Sequence, residues 1–82
     1  MNPPRYPPTE LRQGVGGTVV LVISIDGNGN VLDVSVEKSS RNRNLDRAAM
    51  DAARKWRFNP EMRGGVGVPS RVRVPVDFVP PT

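Results

Sequence analysis

Apolar and polar residues alternate most clearly between Thr18 and Lys38. Val19, Leu21, Ile23 and Ile25 fall on one side of an extended chain, and Thr18, Val20, Val22 and Ser24 on the other. That period of two is the signature of a strand. Asp26-Gly27-Asn28-Gly29-Asn30 follows. Gly and Asn accept the positive φ of a tight reversal, so this segment predicts a hairpin turn. The return strand runs from Val31 to Lys38, with Leu32, Val34 and Val36 on one face and Asp33, Ser35 and Glu37 on the other. After it the period changes. Leu45, Ala48, Ala49, Ala52 and Trp56 share one face at helical spacing and predict a helix from Leu45 to about Trp56. Asn44 is its predicted cap, Asp46 suits its first turn, and Asp51 and Lys55 are spaced to pair. The alanines keep the face flat, so the helix can lie close to a sheet. Asn59-Pro60 ends this element, and Gly64, Gly65 and Gly67 predict a flexible loop. Alternation returns from Arg71 to Phe78, with Val72, Val74, Val76 and Phe78 inward and Arg71, Arg73, Pro75 and Asp77 outward.

Residues 1–10 include Pro3, Pro4, Pro7 and Pro8 and predict an extended arm, the end of a linker. Residues 11–82 are the predicted folded domain. Thr9 can cap a brief helix through Gln13 before Gly14, Gly16 and Gly17 stop it. The expected class is therefore α+β. It has a three-stranded antiparallel sheet of order 2-1-3, with one main helix and a short N-terminal helix on one face. The other face is wet, and Val20 and Val22 are its only large apolar members.

Pro75 constrains the last strand. Proline lacks an N–H, so within sheets it is confined to edges and bulges. Backbone groups alternate sides along a strand. If Pro75 turns its missing donor outward, Arg71, Arg73 and Asp77 also turn backbone groups outward, while Val72, Val74 and Val76 bond to the first strand. Charge and proline are devices that blunt an edge against unwanted pairing. The same edge can also accept a partner strand by β-augmentation. The residues alone argue for an edge and leave its use open.

Composition narrows the chemistry. The 82 residues make one domain with a thin core. Only Tyr6, Trp56, Phe58 and Phe78 are aromatic, and the last three are predicted core residues. The chain contains no Cys and no His, so thiolate nucleophiles, imidazole bases and disulfides are excluded. No pair of carboxylates has the spacing of a catalytic dyad. Ser39-Ser40 has only the neighbouring Lys38 as a base, and adjacent strand residues point to opposite faces. Gly14-Val15-Gly16-Gly17 precedes a strand rather than a helix, so it is no phosphate loop. No catalytic, cofactor or metal site is predicted. The net charge of +4 comes from dispersed Arg residues, without an aromatic stacking platform, and nucleic acid is not the expected partner. The longest apolar run, Val19 to Ile23, is too short to span a membrane.

A set of segments recurs together in one known family. They are Tyr6-Pro7, Gly17-Thr18-Val19, Ile25-Asp26-Gly27-Asn28-Gly29-Asn30-Val31, Ser39-Ser40, Leu45-Asp46-Arg47-Ala48-Ala49, Trp56-Arg57-Phe58-Asn59-Pro60 and Val74-Pro75-Val76-Asp77-Phe78. In this order and spacing the chain resembles the TonB C-terminal domain family over residues 4–79. The Trp-Arg-Phe-x-Pro segment is the most specific part and argues against a TolA-like envelope domain, the nearest rival. The resemblance implies a periplasmic domain of an inner-membrane energy transducer, with its anchor outside this chain. It implies the ExbB–ExbD complex and TonB-dependent outer-membrane transporters as partners, and leaves a homodimer open. It further implies that a transporter's TonB box pairs with the last strand, here Arg71, Val72, Arg73, Val74, Pro75, Val76, Asp77 and Phe78. Pro3, Pro4, Arg5, Tyr6 and Pro7 correspond to a second part of the contact surface. Glu10 departs from the pattern, since the family often has a small residue there.

Overall fold

The computed structural model describes residues 3–81. Met1, Asn2 and Thr82, the extreme ends of the expected arm and domain, lie outside them. The chain forms α1 (Pro8–Gln13), β1 (Gly17–Ile25), β2 (Val31–Lys38), α2 (Arg43–Ala53), β3 (Glu61–Arg63), β4 (Val66–Val68) and β5 (Ser70–Phe78). β1 is the centre of an antiparallel sheet of order β2-β1-β5, and β3 and β4 make a separate two-stranded ribbon. The expected three-stranded sheet with strand order 2-1-3 is thus present, with the ribbon added before its last strand.

The core lies between this sheet and α2. Leu21, Ile23, Ile25, Leu45 and Val19 are its largest fully buried side chains. Burying each such side chain contributes roughly 1.5–3 kcal/mol. Ala49 and Ala53 are also fully buried, and their small size lets α2 lie against β1 and β2. Val76, Phe78 and Trp56 close the margins. Phe58, Val72 and Val74 are partly buried against the same cluster, as their predicted inward faces require.

Local chemistry sets several boundaries differently from the sequence pattern. α2 is capped by Asn42, not Asn44, and begins at Arg43. The Asn42 side chain accepts from the backbone N–H groups of Asn44 (2.9 Å) and Leu45 (3.0 Å), filling two donors the first turn leaves open. The helix stops at Ala53, so Trp56 reaches the core from beyond its end. Asp51 pairs at 2.6 Å with Arg54, the C-cap residue that still has helical backbone angles, rather than with Lys55 one residue beyond it. α1 begins at Pro8 without a side-chain cap, so Thr9 has no capping role. Proline suits this position because its missing N–H would have no helical acceptor.

Two strand expectations are also corrected. Leu32 is 64% exposed, although it alternates with Val34 and Val36. The β1–β2 register pairs Ser24 with Asp33 but Ile25 with Val31. Leu32 is therefore the extra residue of a bulge, and Val31 takes its place against the core. Gly64 and Gly65 do not belong to an unstructured loop. They have φ of 56° and 79° and turn β3 into β4, the backbone that a two-residue hairpin turn requires.

Candidate interaction site at the edge of the last strand

β5 forms one margin of the sheet, and among the described residues no strand pairs with its outer side. Its register sets Pro75 opposite Val20. A proline can occupy only a pair that exchanges no N–H···O bonds. The flanking pairs, Leu21 with Val74 and Val19 with Val76, therefore carry the ladder bonds. Arg71, Arg73 and Asp77 share the parity of Pro75 and turn their backbone groups outward. The outer edge thus offers donors at Arg71, Arg73 and Asp77, with one donor missing at Pro75.

Two of the charged side chains on this edge are drawn back over the sheet. Arg73 Nε donates to both carboxylate oxygens of Glu37 on β2, at 3.0 and 2.9 Å. The pair passes across β1 on the open face beside Val20, which is only 8% exposed despite lying on the face expected to be wet. Both partners remain solvent-exposed, so the pair itself stabilises by no more than about 1 kcal/mol. Asp77 accepts from Thr18 Oγ1 at 2.6 Å. Arg71 is left as the charged side chain of this edge with neither an ion pair nor a side-chain hydrogen bond among the described residues. Edge blunting therefore rests on Arg71 and Pro75, while the backbone at Arg73 stays uncovered by its own side chain.

The arm lies beside this edge. Tyr6 stacks edge-on against Phe78, with ring centroids 5.3 Å apart, and its hydroxyl donates to the Val15 carbonyl at 2.5 Å. Of the predicted site residues, Tyr6 and Phe78 are brought into direct contact, and Pro3, Arg5 and Pro7 line a groove on the helix side of the arm. Glu10 carries a role the pattern did not disclose. It is buried, and its carboxylate accepts from the side-chain amides of Asn42 and Asn44 at 3.1–3.3 Å. The Asn44 hydrogen bond lowers its pKa against the opposing cost of burial, and the Asn42 bond adds to the lowering. Glu10 thereby fastens α1 to the N-terminal end of α2. Its departure from the family pattern was the one signal in the sequence.

Other recurrent segments hold the frame. Burial raises the pKa of Asp46, but hydrogen bonds from Ser39 and Ser40 outweigh it and leave the carboxyl below its usual range. The Ser39 hydroxyl and the Ser40 hydroxyl and backbone N–H all donate to this carboxylate. Asp26 closes its turn by accepting from the backbone of Asn30 and Asn28, each at 2.9 Å, and the Asn30 bond leads in lowering its pKa.

Fold and edge together define a small α+β domain with one helix-covered sheet face and one uncovered terminal strand. The chain belongs to the family described as the Gram-negative bacterial TonB protein C-terminal, whose profile matches residues 2–80. It is 64% identical over 78 residues to Protein TonB of Xanthomonas campestris pv. campestris, covering 95% of this chain and 35% of that protein. The solution NMR structure of the Pseudomonas aeruginosa TonB C-terminal domain superposes with a TM-score of 0.80 at 33% identity, covering 95% of this chain and 79% of that one. The Vibrio anguillarum TonB2 structure gives 0.74 at 32% identity, covering 96% and 76%. The chain spans between 19% and 35% of the length of the curated relatives it matches. Among the described residues no helix is long and apolar enough to cross a membrane.

Proposed function

We propose that this chain is the periplasmic C-terminal part of a TonB-type energy transducer, a coupling module without catalytic activity. In this reading it binds outer-membrane TonB-dependent transporters and passes on work drawn from the inner-membrane proton motive force. The ExbB–ExbD contacts and the membrane anchor belong to the part of the longer protein that this chain does not span. The contact itself is strand addition: an extended transporter segment, the TonB box, pairs with β5 between Arg71 and Phe78. Pro3, Pro4, Arg5, Tyr6 and Pro7 form the adjoining contact.

The observation that carries this reading is the uncovered outer edge of β5 in a chain of this family. Main-chain hydrogen bonds supply affinity in strand addition, and alternate side chains supply specificity. The outward donors favour pairing at Arg71 and Arg73, and the missing donor at Pro75 weakens it beyond them. Titrating the labelled chain with synthetic TonB-box peptides tests the assignment. Amide shifts should concentrate between Arg71 and Phe78. Shifts confined to other elements would overturn strand addition at β5.

A further inference from the structure

The charge of this chain is unevenly placed. Residues 41–57 hold six of the twelve cationic side chains and only two of the eight acidic ones. Everything outside that segment is balanced, so α2 and its flanks carry the whole net charge of +4. Both acids there are engaged, Asp46 by Ser39 and Ser40 and Asp51 by Arg54. Arg47 and Lys55 are exposed and have no ion pair among the described residues.

These two cations border a groove of about 720 Å³ between α2 and the proline arm. Its apolar lining comes from Pro3 and Pro7 on the arm, Pro8 at the start of α1, and Ala48 and Ala52 on α2. Arg5, also exposed and without an ion pair, stands on the arm side. The two acids on the lining, Glu10 and Asp51, are already taken by Asn42, Asn44 and Arg54. Arg54 balances Asp51, whereas Glu10 is held by neutral amides and keeps its charge, so the groove is apolar within and sets three cations, two of them on the helix side, against one buried carboxylate.

We infer that this groove is a second docking site, and that it takes an acidic, extended segment of a partner protein. Concavity favours a peptide, because a flat anionic bilayer meets rims and not floors. Nucleic acid is disfavoured because no aromatic side chain lines the groove for base stacking. Helical rise from Arg47 to Ala53, carried on by the turn in which Lys55 N–H bonds the Ala52 carbonyl, puts Arg47 and Lys55 roughly 12 Å apart. An extended peptide covers that distance in roughly four residues. Residues at that even spacing point to the same side, so the fitting ligand has Asp or Glu at every fourth position with small apolar residues or proline between. No residue of β5 lines the groove. Pro3, Arg5 and Pro7 are shared with the proposed transporter contact, so the arm wall of this site rests on that reading, while the site does not depend on strand addition at β5.

The test is a titration of the labelled chain with a peptide carrying Glu at every fourth position among Ala and Pro. Its matched Gln peptide and phosphatidylglycerol vesicles are the comparison arms. Shifts are expected at Ala48, Asp51, Ala52 and Lys55 and along Arg5–Glu10, weakening as salt rises. Arg47→Gln with Lys55→Gln should reduce affinity roughly tenfold at an unchanged melting temperature. The inference is overturned by equal binding of the Gln peptide, by no shift with the Glu peptide, or by vesicle binding without peptide binding. Shifts on β5 alone would also overturn it. A TonB-box peptide that leaves β5 unshifted would count only against strand addition.

Discussion

Gly29 and Gly64 both hold positive φ, at 85° and 56°, but their surroundings differ. A Cβ on Gly64 would meet nothing within 4 Å, whereas one on Gly29 would lie 1.8 Å from the Phe58 carbonyl oxygen. Phe58 also donates its N–H to the Gly29 carbonyl at 2.9 Å, so the two backbones are locked together. Gly64→Ala should cost only the left-handed penalty, about 1–2 kcal/mol. Gly29→Ala adds a backbone clash and should cost clearly more, displacing the Trp56–Pro60 segment. Thermal melts of the two variants check the order. At roughly 4–8 °C per kcal/mol for a domain this size, equal melting temperatures would refute the account. The turn role of Gly29 was legible in Asp26–Asn30, because turn chemistry is local. The approach of Phe58 was not, because it depends on where a distant segment returns. The same holds for Glu10, whose Asn partners come from the other side of β1 and β2.

Elements were legible where their pattern was long. β1, β2, α2 and β5 each repeat one period over eight or more residues; the strands appear within one residue of their predicted bounds, and α2 starts two residues and ends three residues earlier than predicted. The ribbon β3–β4 was missed because its strands are three residues long and its faces mix Glu61, Met62 and Arg63 without alternation. Leu32 was misassigned because alternation assumes an unbroken register and the bulge breaks it. The candidate edge was legible in part. Pro75 alone marked the margin and its parity, while the tethering of Arg73 to Glu37 and Asp77 to Thr18 needed the folded register. That parity gives a prediction for the strand. Arg73→Pro removes only an outward donor and a surface ion pair, so the fold should survive while peptide binding at β5 falls. Val74→Pro removes a donor that serves Leu21 on β1 and strands a buried acceptor, at about 1–3 kcal/mol, before any added strain. Circular dichroism melts beside peptide titrations separate the two outcomes. Equal unfolding of both variants would contradict the assigned parity.

At the scale of the whole molecule, two acidic side chains converge on the N-terminal end of α2. Glu10 holds the arm to Asn42 and Asn44, and Asp46 holds the approach to the helix through Ser39 and Ser40. Both carboxyls, and that of Asp26 at the far turn, have folded pKa values below the ordinary 4.5 for Glu and 3.8 for Asp. A group depressed in the folded state binds its proton more readily once unfolded. Its contribution is therefore complete above the unfolded value and is lost as pH falls through the folded one. Stability should be level from neutral pH down to about 5 and decline below 4.5 as the carboxyls protonate. The decline should begin where the arm joins α2, since two of the three groups sit there. Glu10→Gln removes one titrating group and should melt lower than the parent at neutral pH, with the gap narrowing at low pH. Amide exchange along Tyr6–Gln13 should accelerate in the variant at neutral pH as it does in the parent on acidification. A variant whose melting temperature falls with pH as steeply as the parent's would show that Glu10 is not part of the acid response. The arm would then be held by Tyr6 on Phe78 and its bond to Val15 without help from the carboxylate.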